Sequence, residues 1–135
     1  MATLTQIRAG LAARLATISG LNTHYVWPST VTPPAAIILP RSGQYNLTIG
    51  GNDTLWSFDI TIVVKLGQFE AGQDALDAYL DSSGASSVAA AIRADPTLGG
   101  VADDVMRVEF VEYADRPMKG VNYMTAIIGV DVWAT

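Results

Sequence analysis

The clearest alternation of hydrophobic and polar positions lies between Leu55 and Leu66. Trp56, Phe58, Ile60, Ile62, Val64 and Leu66 occupy every second position, Ser57, Asp59, Thr61 and Lys65 lie between them, and Val63 is the single exception. Successive side chains of an extended chain point to opposite faces, so this pattern predicts a strand with one face in the core and the other wet or against a partner. Tyr45, Leu47 and Ile49 alternate in the same way just before it, and Gly50-Gly51-Asn52-Asp53 supplies residues that tolerate positive φ. Residues 44 to 66 are therefore expected to form a long hairpin. Two further strands are expected near the end of the chain. One runs from Val105 to Tyr113 with Met106, Val108 and Phe110 on one face, and the other from Asn122 to Trp133 with Met124, Ala126, Ile128, Val130 and Val132 on one face. Between them, Ala114-Asp115-Arg116-Pro117-Met118-Lys119-Gly120-Val121 reads as a loop longer than a minimal hairpin requires.

Elsewhere the period changes. Leu4, Ile7, Leu11, Leu15 and Ile18 recur at spacings of three and four while Arg8 and Arg14 fall on other faces, which predicts a helix; Thr3 with Gln6 suits a capping box and Gly20 a stop. Tyr25-Val26-Trp27 reads as a short strand ended by Pro28. Ala35-Ala36-Ile37-Ile38-Leu39 reads as a buried strand that Pro40 closes, because proline cannot donate to a ladder. Glu70 to Asp81 predicts a helix with Leu76, Tyr79 and Leu80 inward. A second helix, capped by Ser86 or Ser87, carries Val88, Ala91 and Ile92 and stops at Asp95-Pro96. The order α-β-β-β-α-α-β-β predicts an α+β fold, a mostly antiparallel sheet packed on one side by helices, in a single domain spanning 1–135.

One block carries a resemblance. Leu76-Asp77-Ala78-Tyr79-Leu80 is followed by Ser86-Ser87-Val88 and then by Ala91-Ile92-Arg93-Ala94-Asp95-Pro96-Thr97-Leu98-Gly99-Gly100-Val101, after a long alternating strand and before two more. This arrangement resembles the tail terminator, or tail completion, proteins of long-tailed bacteriophages, and the match covers most of the chain in order and spacing. The block is structural punctuation and carries no chemistry of its own. The resemblance implies a homo-hexameric ring that caps the tail tube, stops its polymerisation and offers a surface for joining the head. The implied partners are other copies of the chain, the major tail tube protein and the head-tail connector or neck protein, at the tail-neck junction of a virion assembled in the host cytoplasm. Genomic DNA is implied to pass through the ring without specific binding. Neighbouring roles, a head-closure or neck protein or a tail tube subunit, remain open alternatives, as does a cytosolic small-ligand module using a pocket between helices and sheet.

Composition bounds these readings. With 135 residues the chain is long enough for a real core but short for an enzyme with a separate lid or cofactor domain. Half of it is hydrophobic and mean hydropathy is +0.28. No apolar run approaches the ~18 residues of a membrane helix, so no membrane association is expected and the apolar excess points to oligomerisation. The net charge of −5, from thirteen acidic and eight basic side chains, argues against reading a phosphate backbone. The absence of cysteine excludes disulfides and thiolate chemistry. Met1 to Gln6 lacks the basic start and apolar core of a signal peptide, so synthesis in the cytosol is expected.

Little in the sequence suggests catalysis or a cofactor, and no enzymatic activity, cofactor or metal is assigned. His24 has no nucleophile or orienting acid placed near it and is expected to bond locally. Asp74 and Asp77 lie three apart on a helix and are expected to face water; Asp103-Asp104 is the other close carboxylate pair. Gly50-Gly51 and Gly99-Gly100 precede strands rather than helix N-termini, so they read as turns and not phosphate cradles. Trp56 is in phase with Phe58 and Ile60 and is expected in the core. Trp133 is out of phase with Ile128, Val130 and Val132, so it is expected on the opposite face, as an edge aromatic or a subunit contact. The candidate interface residues are Arg116, Pro117, Met118 and Lys119, a basic finger stiffened by proline, with Asp53, Asp103 and Asp104 as acidic counterparts on a neighbour and Trp133 as a further contact.

Overall fold

The computed structural model describes residues 3–18, 21–24, 34–45, 54–65, 69–84, 86–118 and 121–134, with the side chains at 65, 69–73, 75, 113–118 and 121–123 outside that description. The elements are α1 (Leu4–Leu15), β1 (Asn22–His24), β2 (Ala35–Tyr45), β3 (Thr54–Lys65), α2 (Phe69–Leu80), α3 (Val88–Arg93), a 3-10 turn at Leu98–Gly100, β4 (Asp104–Met118) and β5 (Val121–Ala134). The α-β-β-β-α-α-β-β order and the α+β class are as the sequence predicts. One five-stranded sheet has the order β1-β2-β3-β5-β4, antiparallel at every pairing except the parallel β1–β2 contact.

The helices lie on one face of this sheet because each carries apolar side chains that water would otherwise touch. Ile7, Leu11 and Leu15 of α1, Leu76 and Tyr79 of α2 and Val88 and Ile92 of α3 are buried with Ala36, Ile38, Phe58, Ile60, Ile62, Val64 and Met124, Ala126, Ile128, Val130, Val132 of the sheet. The β3 and β5 alternations are thus realised in the predicted phase, and Trp56 packs, half-buried, against this cluster. Thr3 and Gln6 form the predicted capping box on α1, and Ser87, rather than Ser86, caps α3 by accepting from the Ala90 N–H. Arg14 does not stand free on its own face of α1: its Nε donates to the Ala91 carbonyl of α3 at 3.0 Å and ties the two helices together.

The block that carries the resemblance makes the joint between helices and sheet. Asp95 accepts hydrogen bonds from the Thr97 hydroxyl at 2.7 Å and from the Gly99 N–H at 3.0 Å, folding the chain back at once after α3. Leu98, buried to 2% exposure, adopts a positive φ of 53°, a conformation strained for a leucine and held here by the bonds to Asp95 and by packing. Gly10 of α1 faces this turn so closely that a Cβ would meet the Leu98 carbonyl oxygen at 2.9 Å. Only glycine lets the first helix settle there.

Several expectations are corrected. Pro40 does not close its strand: β2 continues to Tyr45 across a bulge between Pro40 and Ser42. The ladder is irregular at that point, which is where a residue without an N–H is tolerated in a strand. The first arm of the hairpin with β3 is therefore 35–45, with Tyr45 opposite Thr54; Leu47, Ile49 and Gly50 to Asp53 lie outside the described residues, as do Gly20, Leu66 and the strand expected at Tyr25 to Trp27. In β4, bulges between Val105 and Arg107 and between Phe110 and Glu112 break the alternation, so Val105 and Val108 pack on the core while Met106 is exposed. The stretch from Ala114 to Val121 is not an open loop. It is ladder, with Met118 opposite Val121 and only residues 119 and 120 between them.

Candidate assembly surface

The face of the sheet turned away from the helices is not uniformly wet. At one end Ala35, Ile37 and Val63 are fully buried although they lie outside the cluster between sheet and helices. Toward the other end it carries charge. The register sets Asp59 level with Gly129, Ser57 level with Asp131, and Asp131 level with Arg107, so three strands present these polar side chains side by side. Arg107 binds Asp131 through two nitrogens, Nε to Oδ2 at 2.8 Å and Nη2 to Oδ1 at 3.2 Å, the forked geometry that suits a carboxylate. Ser57 donates to the same carboxylate at 2.8 Å, Arg107 also pairs with Glu109, and Arg41 of β2 lies 3.6 Å from Asp59.

The hydrogen bonds from Arg107, with Ser57 adding to them and burial opposing, lower the Asp131 carboxyl below its ordinary value. The same bond raises Arg107 above its own. Gly129 makes room for this arrangement, since a Cβ there would come within 3.2 Å of Arg107 Nη2 and of the Val111 side chain. This ladder was missed in the sequence. Its signal was present, an aspartate interrupting Val130 and Val132 and an arginine in β4, but only the register shows that they are level.

The predicted interface residues fall at opposite ends of the sheet. Arg116, Pro117 and Met118 end β4, opposite Tyr123, Asn122 and Val121, and the last two of these pairs extend past the final β3–β5 pair, Lys65 with Tyr123. Trp133 is half-buried on the outer face, opposite both Leu55 and Asp104, as its phase predicts. Ten residues of β5 separate it from the Arg116 level, roughly 33 Å at about 3.3 Å per residue. The structure thus does not bring Trp133 and the basic finger together. Lys119 and Asp53 lie outside the described residues. Asp103 and Asp104 are exposed at the Trp133 end, where the Asp103 N–H donates to the Trp133 carbonyl at 2.8 Å.

His24 ends β1 opposite Ile37, with its Nε2 buried and without a hydrogen-bond partner among the described residues. Asp74 and Asp77 are both exposed on α2. Among the described residues no three histidines or carboxylates are grouped to hold a metal ion, and no helix is long and apolar enough to cross a membrane.

No protein-family model matches the chain, and no curated protein matches it. Among solved structures, the chain is similar to one in the virion of a native gene transfer agent (GTA) particle, at 16% identity over 98% of this chain and 92% of that one, with a TM-score of 0.41.

Proposed function

We propose that the chain is a structural protein of a phage-type tail, a terminator that assembles as a hexameric ring, caps the tail tube and gives the head its joining surface. The observation that carries this reading is the resemblance block itself. Leu76 to Val101 folds as the helix, capped helix and Asp95-stapled turn that join the helical layer to the last hairpin, so the residues that resemble the terminators are those that set this architecture. No bond is made or broken in such a role. One surface of the ring docks once on the tube, and the opposite surface lacks what would recruit another tube ring.

The placement of the candidate residues sharpens the division of labour. Neighbours standing side by side at one level bring hairpin ends to hairpin ends, whereas the basic end at Arg116 and the acidic end at Asp103 and Asp104 face opposite directions along the strands. Their pairing therefore suits partners stacked along the strands, the tube on one side or the neck on the other, better than partners within a ring. The net charge of −5 suits a lumen through which a phosphate backbone slides without being gripped.

Removing the gene from the system that makes the particle tests the reading. Tubes of uncontrolled length without heads are expected, and tails of ordinary length with heads attached would refute it.

A further inference from the structure

Two residues of β4 have no place in its ladder. The register steps from Val105 opposite Val132 directly to Arg107 opposite Asp131, and from Phe110 opposite Ile128 directly to Glu112 opposite Ile127, so Met106 and Val111 are each one residue more than the pairing uses. Neither belongs to the core: Met106 is 59% and Val111 46% exposed. Nor does the ladder with β5 depend on them. With both removed, every pair from Asp104 with Trp133 to Met118 with Val121 would keep its partner. Val105, Val108 and Phe110 on the helix side would then alternate without a break with Asp104, Arg107, Glu109 and Glu112 on the outer side.

β4 is the last strand of the sheet, and the side chains of Asp104, Met106, Glu109, Phe110, Val111 and Glu112 are all exposed, which leaves the stretch from 104 to 112 uncovered. A long regular edge with apolar side chains is a template on which another strand can form. A bulge takes one residue out of line, bends the strand and raises its twist, so a straight strand cannot follow it past that point. Here two bulges leave only Arg107 to Phe110 in regular alternation between them, and within that short stretch Arg107 and Glu109 carry charge. We infer that Met106 and Val111 are a device that closes the β4 edge: they interrupt it twice, so that no strand of another copy adds along it. The inference goes beyond the ring reading and does not rest on it, since it concerns growth from whatever assembly the chain forms. A protein whose role is to end a polymer needs such an edge closed.

The test removes the two residues. Variants with Met106 deleted, Val111 deleted, or both are compared with the parent by melting, by mass at rising concentration and by amide hydrogen exchange. The double deletion is expected to melt with the parent when dilute and, on concentration, to reach a mass at least about two-fold above the parent's, while the amides of 104 to 112 gain protection. Each single deletion keeps one bulge and is expected to grow less. Met106→Ala with Val111→Ala keeps both bulges and is expected to keep the parent's mass. Deletion variants that fold and hold the parent's mass, or that grow without protection at 104 to 112, would overturn the inference. So would loss of folding in both single deletions, which would show that the bulges serve the fold. A smaller mass for the double alanine variant than for the parent would show that the two side chains are themselves a contact, and would overturn it as well.

Discussion

The two faces of β3 differ by one residue in register and by nearly everything in environment. Phe58, Ile60 and Ile62 are fully buried under the helices, while Ser57 and Asp59, between and beside them, join a charged ladder with Asp131, Arg107 and Arg41. On the helix side, stability comes from apolar area removed from water, and any side chain of similar volume and polarity serves. On the outer side, hydrogen-bond geometry fixes which strands sit level. The first face makes the domain fold; the second carries its charge.

The largest effect expected from this comparison is on the buried face. Ile60→Asp places a carboxylate at a fully buried position and is expected to cost at least about 4 kcal/mol, enough to unfold a domain of this size. Thr61→Asp, half-buried on the outer face opposite Ile37, is expected to stay folded with a loss of about 1 kcal/mol. Equal melting temperatures for the two variants would show that the faces are exchanged.

A smaller effect is expected in the ladder. Asp131→Asn keeps the shape but removes the charge that Arg107 holds, and, discounted for partial exposure, is expected to cost about 1 kcal/mol at neutral pH. Because folding lowers the Asp131 carboxyl, its contribution is fully present above the unfolded value near 4 and is lost as pH falls through the lower folded value. Denaturant melts should therefore show the gap between parent and variant closing as pH falls below about 4. A gap that stays constant as pH falls would mean that the pair does not stabilise the sheet.

The smallest effect on stability, and the most selective on assembly, is expected at the end of the β4–β5 hairpin. Arg116→Ala with Lys119→Ala should leave subunit melting unchanged and reduce docking of the ring on tubes, read as tail length and head attachment in producing cells. Normal tails from this variant would show that the hairpin end is only a solvated turn.

These two faces were not equally legible in the sequence. β3 and β5 are central strands, paired on both sides and buried on the helix side, so their alternation was plain and Trp133 emerged on the face its phase required. β4 was not, because each bulge inserts a residue and resets the alternation; grouping Met106 with Val108 and Phe110 followed a period that the edge strand does not keep. The continuation of β2 through Pro40 was hidden for a related reason, since a proline at a bulge does not end its strand. The charged ladder depends on register across three strands, which no local pattern encodes. The tip from Ala114 to Val121 resembled a loop because proline, glycine and charges are also the residues of turns, and its pairing became visible only with its partner strand in place.

The mass of the purified protein at micromolar concentration, together with electron micrographs of the same sample, tests the central claim most directly. Closed rings of six 14.3 kDa subunits are expected, of one diameter and without growth on further concentration. Filaments that lengthen with concentration would mark a tube subunit, and a chain that stays monomeric both alone and on assembled tails would contradict the account.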